Sequence, residues 1–247
     1  MGTPFGAGGR RPERRAKEGI AARPGALPAA ETAIPGARRM DRTTIARAAL
    51  ELIDRDGLEA LSMRRVAAGL RIDPMTLYRY VPNRDGMLSD IVGLLFAEID
   101  ASERPGESWD ETLMRMHRSE REMALRHPHA YALLVLAPRD EEPALGFAGR
   151  LKGILLRGGL PEDRFLDVWL VDASFTNGFL LLETATLTRA SRAEAAAGMA
   201  ARATRLASAP EAELAGALAQ TASGEAYVRG LELIYRGFKE TIAAPRA

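Results

Sequence analysis

Cysteine is absent from this 247-residue chain. That excludes a disulfide framework and every thiolate metal site, and it fits a reducing compartment. Long hydrophobic runs are missing too. No stretch reaches the ~18 apolar residues of a spanning helix, and the longest candidate is interrupted by Asp167, Asp172 and Asn177. The N-terminus lacks the apolar segment of a secretory signal. A cytoplasmic protein with no membrane partner is therefore expected. Histidine occurs only at 117, 127 and 129. An HxH pair with no third ligand at helical spacing is a weak metal signal, so no metal is expected. No nucleophile–base constellation and no phosphate-cradling Gly loop occur, so neither an enzyme nor a cofactor is expected.

What is present is ordinary for a soluble globular chain: 47% hydrophobic and 27% charged residues. The net charge of +1 hides an asymmetry. Residues 1–88 hold 16 Lys and Arg against 10 Asp and Glu, a balance of +6; the remainder holds 18 against 23, or −5. A basic front suits a polyanion, and an acidic rear does not. Of the basic residues 31 are Arg and 3 Lys, a skew that genomic coding bias also produces.

Residues 1–40 are rich in Gly, Pro, Ala and Arg and offer nothing to build a core from, so they read as a disordered basic tail. Arg10, Arg11, Arg14, Arg15 and Lys17 suit a non-specific phosphate-attracting arm. A solvated tail, or an upstream start artefact with the true start near Met40, is the simpler account, since termini are usually untied. A first helix is predicted from about Asp41 to Asp56, with Ile45, Ala49, Leu52 and Ile53 on one face, Asp41 or Thr43 as cap and Gly57 as stop.

The stretch from Ser62 to Arg84 carries the sharpest signal. Ser62 caps a short helix whose apolar face is Met63, Val66, Ala67 and Leu70. Asp73-Pro74 then announces a second one, predicted over 74–81. Only Leu77 and Val81 point inward there. Met75, Thr76, Tyr78, Arg79 and Tyr80 are large or hydrogen-bonding and have no core to fill. So short a helix with that surface fits a nucleic-acid groove better than packing. A further helix starts at Asn83, with Met87, Leu88, Ile91, Val92 and Leu95 inward. The breaker Ser102 to Gly106 marks a boundary between a front unit, 41–101, and a rear one, 102–247.

Every later segment again reads as helix: from Ser108 to about Leu125, 128–136, 143–157, 161–190 and 224–242. Residues 190–222 are Ala-rich with no strong face, and Pro210 is a new start. No alternating strand pattern and no clear internal repeat appear. The expected fold is all-α.

LSMRRVAAGL at 61–70, Thr76-Leu77-Tyr78, then Tyr80-Val81-Pro82-Asn83-Arg84 and an apolar fourth helix together resemble the TetR family of transcriptional regulators. About 50 residues carry that specific match. The rear is similar in layout to the tetracycline-repressor-like C-terminal domain, with Arg126-His127-Pro128 and Gly230-Leu231-Glu232-Leu233. The resemblance implies a helix-turn-helix DNA-binding domain followed by a larger helical ligand-binding and dimerisation domain. One departure stands out: members usually place Gly in the turn, where this chain has Arg71. If that backbone is left-handed, Arg costs ~1 kcal/mol relative to Gly. A phosphate contact by Arg71 would offset this; a slightly altered turn is the alternative.

By the same resemblance Pro74, Met75, Thr76, Tyr78, Arg79 and Tyr80 face DNA. Arg79 suits a bidentate contact to guanine, or is simply an exposed charge. Pro74 and Met75 suit thymine methyls, while Thr76, Tyr78 and Tyr80 suit phosphates. Tyr80 can instead rest its ring on the small core. Arg64 reaches a base edge or a phosphate. Thr43, Thr44 and Arg84, at helix starts, suit phosphate oxygens. In the rear, Trp169, Phe175 and Phe179 either line an effector pocket with Asp172 as polar anchor, or are core or subunit interface.

In the family two helices from each subunit form a four-helix dimer interface. The 161–190 and 224–242 helices here have apolar faces too wide for one partner each. The expected protein is thus a homodimeric regulator, a repressor released from a palindromic double-stranded DNA operator by a small hydrophobic effector. The competing reading is a small-molecule binding protein or enzyme whose front helices serve protein interaction only.

Overall fold

The computed structural model describes residues 40–138, 142–188 and 223–243. The expectations for residues 1–39, the basic arm included, and for the Ala-rich stretch with its Pro210 start lie outside the described residues. Every regular element among the described residues is helical. α1 (Arg42–Asp56) begins at Asp41, whose carboxylate accepts from the Thr44 N–H at 2.7 Å, and stops at Gly57 with φ 83°. Asp41 rather than Thr43 is the cap: its shorter acceptor sits at the extended residue before the first turn. α2 (Met63–Leu70) is capped by Ser62, and α3 (Pro74–Tyr78) by Asp73, whose Oδ1 accepts from the Met75 N–H at 2.7 Å.

α3 is shorter than the sequence predicts. The chain leaves the helix after Tyr78 because Val81 precedes Pro82, whose ring excludes the helical conformation of the residue before it. Tyr80 and Val81 both donate their N–H to the Leu77 carbonyl, closing the last turn tightly. α4 (Arg84–Ala97) follows at once, capped by Asn83, which accepts from the Gly86 N–H at 2.8 Å. The buried side chains of this front stretch, among them Ile45, Ile53, Val66, Leu77, Val81, Met87 and Ile91, belong to one core that continues into the rear helices.

The breaker after α4 is held in place rather than loose. Gly106 takes φ 81°, and Arg115 reaches back from the next helix to Glu107 at 2.7 Å and Asp100 at 3.0 Å. That helix, α5 (Trp109–Arg126), starts with a capping box of Ser108 and Glu111. α6 (Tyr131–Leu136), α7 (Glu142–Arg157) and α8 (Phe165–Thr188) follow, and α9 (Gly224–Ala243) closes the described chain. α4 packs on α1 on one side and on α6 and α7 on the other, so it joins the front helices to the rear ones.

α8 corrects one expectation. With the turn before it, Glu162–Thr188 is long and apolar enough, by length and composition, to cross a membrane. The interrupting polar residues do not shorten the run: Asp172 is buried and Asn177 half-buried, while Asp167 is exposed. Asp172, Thr176, Glu183 and Thr184 are buried against the rest of the protein, with Glu183 taking a bidentate pair from Arg121 at 2.6 and 2.9 Å. The opposite face, with Leu166, Leu170, Val171 and Leu182, is open.

Candidate nucleic-acid interface and rear cavity

The turn between α2 and α3 aims the front surface. Arg71 closes α2 in the left-handed conformation, φ 58° and ψ 39°, and is the one non-glycine residue with positive φ among those described. Its N–H and that of Ile72 return to the Ala68 and Ala67 carbonyls at 3.1 and 3.0 Å, turning the chain sharply into α3. Leu77 is fully buried and anchors α3. Its neighbours are left outside: Met75 is 73% exposed, Tyr78 44% and Tyr80 37%. Tyr80 therefore does not rest wholly on the core. Pro74 and Thr76 are half-buried, and Arg79, the last residue of the helical turn, is exposed.

Of the other candidate contacts, Thr43, Arg64, Arg71 and Arg84 are exposed and Thr44 is half-buried. The basic residues divide into two sets. Arg42 forks onto Asp90 of α4 at 2.8 and 3.0 Å, and Arg65 pairs with Asp56 at 2.6 Å. These brace the helices against one another. Arg64, Arg71, Arg79 and Arg84 make no ion pair among the described residues. The Arg42–Asp90 fork ties the start of α1, with Thr43 and Thr44, to the helix that begins at Arg84. Solvent-exposed apolar side chains and guanidinium groups without an ion pair, together on one small helical unit, suit a DNA groove.

The rear helices enclose a cavity of about 80 Å³. The structure parts the four predicted pocket residues. Trp169 and Asp172 line this cavity; Phe175 and Phe179 lie off it, against Tyr227 of α9 at ring separations of 5.9 and 5.0 Å. A Cβ at Gly230 would collide with the Phe175 ring, which accounts for the glycine of that C-terminal motif. The cavity walls add residues beyond the predicted pocket set: Phe96 of α4, His117 and Glu120 of α5, Leu134 of α6, Phe147 and Leu151 of α7, Thr176 and Asn177 of α8. Two helices distant in sequence, α5 and α8, supply the polar ones, so no local pattern brings them together.

These polar groups form a buried cluster. His117 shares a hydrogen bond with the Tyr235 hydroxyl at 2.5 Å through Nδ1 and meets Asp172 Oδ2 at 3.1 Å through Nε2. Burial opposes its charged form, but the carboxylates of Asp172 and Glu120 outweigh that and hold the imidazole above its usual range. Glu120 accepts from the Tyr131 hydroxyl at 3.1 Å. Burial pushes Glu120 up to about 7 against the pull of His117 and that hydrogen bond. At the seam with the front helices, His127 caps α5, as its place beside Pro128 predicts. It also does what the sequence did not announce: Nδ1 meets Asp54 of α1 at 2.7 Å and Nε2 meets Glu98, at the end of α4, at 3.2 Å.

Comparison with known proteins agrees with this architecture. Residues 45–91 match the model of the bacterial regulatory proteins of the tetR family, and residues 102–242 match that of the tetracyclin repressor-like C-terminal domain. A curated HTH-type transcriptional regulator of Saccharopolyspora erythraea is 35% identical over 94 residues, 38% of this chain and 40% of that protein. The HTH-type transcriptional repressor DrrR1 of Streptomyces coeruleorubidus is 39% identical over 110 residues, 41% of this chain and 36% of that one. The chain thus matches less than half the length of these two relatives. Among solved structures, the TetR family protein ActR of Streptomyces coelicolor in complex with actinorhodin superposes with a TM-score of 0.67 at 26% identity, covering 82% of this chain and 96% of that one. A possible TetR family regulator from the same organism gives 0.67 at 25% identity, over 81% and 98%. The chain belongs to the TetR family of bacterial regulatory proteins.

Proposed function

We propose that the protein is a cytoplasmic, homodimeric transcriptional repressor rather than an enzyme, released from a palindromic DNA operator by a small hydrophobic ligand. The observation that carries this is α3: a five-residue helix anchored by one buried leucine, with Met75, Tyr78, Arg79 and Tyr80 turned outward. Arg79 reads guanine, Pro74 and Met75 meet thymine methyls, and Thr43, Thr44, Arg64, Arg71, Thr76, Tyr78, Tyr80 and Arg84 hold the backbone. One such helix spans too few bases for selective binding, so two copies related by a two-fold axis read a palindrome. The open face of α8, with Leu166, Leu170 and Leu182 more than half exposed, and Leu233 of α9, 64% exposed, support pairing of two subunits there.

Residues 41–101 form the output unit and 102–247 the sensing unit. α4 links them because Phe96, near its C-terminal end, lines the cavity and packs on Phe147 at 5.1 Å. An effector against Phe96 favours a state in which α4 is rotated and the two recognition helices are wrongly spaced; operator affinity falls by population shift. The repressor DrrR1 and the actinorhodin complex of ActR support ligand-governed repression here. Selection from randomised duplexes tests the reading. A palindromic motif is expected, and Arg79→Ala should relax one base pair per half-site; recovery of no motif overturns it. A log–log salt titration adds the phosphate count through a slope of about −0.9 per contact.

A further inference from the structure

We infer that the rear cavity selects a cationic effector, a compact aromatic or alicyclic body bearing a protonated amine, over neutral and anionic molecules of the same shape. The inference rests on reading that cavity as the effector site and adds the charge class. Two carboxylates, Asp172 and Glu120, line it, both about 3% exposed, and among the described residues no Lys or Arg does. Its single basic side chain, His117, is already engaged by Asp172 and Tyr235. Arg121, next to Glu120 in sequence, is committed to Glu183 at 2.6 Å.

Donors and acceptors in the wall are not fully matched, and the Thr176 hydroxyl is buried without a hydrogen-bond partner among the described residues as well. Asp172 spends Oδ2 on His117, while Oδ1 is buried and has no hydrogen-bond partner among the described residues. A buried carboxylate oxygen left so is costly unless something brings it an N–H. The Tyr131 hydroxyl is the one donor near Glu120 Oε1 and Asn177 Oδ1, at 3.1 and 3.4 Å, and can serve only one fully. The apolar walls suit the same ligand. Phe96, Phe147 and Trp169 are among the lining residues, and aromatic rings attract an ammonium group most strongly where water is excluded. An anion would meet two carboxylates and no free cation.

Protonation sharpens the discrimination. Glu120, faced by His117 from its own helix, Tyr131 from α6 and Asp172 from α8, is poised near neutrality. His117, facing Asp172, Glu120 and Tyr235, is also raised. Loss of either proton makes the cavity more negative. A cationic ligand therefore binds more tightly as pH rises from 6 to 8 and drives proton release on binding.

The test uses the full chain without DNA and three compact probes of nearly one shape, benzylammonium, benzyl alcohol and benzoate, titrated by calorimetry. The ammonium is expected to bind at least about tenfold tighter than the alcohol, as charge-assisted hydrogen bonds in a dry site allow. Its affinity should rise between pH 6 and 8, and Glu120→Gln should cut the preference to about threefold or less. Should that variant fail to fold, Asp172→Asn and the wild-type ranking of the three probes carry the same test. If the alcohol or the carboxylate binds as tightly as the ammonium, the charge class is wrong and the cavity reading survives. If none of the probes binds, or if Ala173→Leu, which fills the cavity wall, leaves binding intact, the cavity reading itself falls.

Discussion

Arg71 offers the most decisive perturbation because two effects with opposite signs meet at one residue. It holds φ 58° and ψ 39° at the end of α2, where its Cβ crowds the following carbonyl and a glycine would not. The left-handed penalty for a residue with a Cβ is about 1–2 kcal/mol, reduced by glycine's larger loss of freedom on folding to a net of about 1 kcal/mol. Arg71→Gly should therefore stabilise the protein by that amount, raising the unfolding midpoint by about 2–4 °C for a chain of this size. Protomer concentration must be held constant, since a dimer's midpoint depends on it. The same change removes one guanidinium from the DNA face, so duplex affinity should fall alike for all sequences and the salt slope should lose about 0.9. Arg71→Ala separates the effects: it keeps the Cβ and the strain but loses the charge, so it should match Gly in DNA binding and wild type in stability. Differential scanning calorimetry with salt-dependent fluorescence anisotropy reads both. Stability unchanged or lowered in Arg71→Gly would refute the strain argument. An unchanged salt slope would refute the phosphate role.

Other perturbations address the remaining parts. Arg79→Ala should cost about 1–3 kcal/mol of discrimination at one base pair per half-site, whereas Arg84→Ala should weaken every sequence equally; parallel selections on both variants distinguish them. His127 is raised by its hydrogen bond to Asp54, against partial burial, and further by Glu98. A raised imidazole contributes its full stability below its unfolded value of about 6.5 and loses it as pH rises through the folded value. His127→Gln should thus destabilise more at pH 6 than at pH 8.5 in urea unfolding, and a pH-independent penalty would exclude the charged bridge. Leu170→Glu on the open face of α8 should convert dimer to monomer in light scattering and abolish operator binding with it. Leu77→Ala, at a fully buried position, should cost about 2–5 kcal/mol and lose DNA binding through α3 itself.

Much of this was legible in the residues because local rules act over a few positions. The Asp41, Ser62, Asp73 and Asn83 caps, the apolar faces of α1 to α5 and the exposed Tyr78-Arg79-Tyr80 surface follow from side-chain chemistry within one or two turns. The short α3 was misjudged only at its end, where Pro82 acts backwards on Val81. The cavity was half legible. Trp169 and Asp172 announce a helical stripe, but a stripe does not say which neighbour covers it. Phe175 and Phe179, on the same helix, turn to Tyr227 because α8 packs on α9 as well as on α5 and α6.

The sequence by itself therefore determined the helices, the turn that presents α3 and the family to which the chain belongs, since each rests on spacing along one segment. Only the tertiary structure decided that His117, Glu120 and Asp172 share a dry cavity with Phe96, and that His127 bridges Asp54 and Glu98. Those groups lie tens of residues apart, and their burial, charge state and partners exist only once packing has removed water from between the helices.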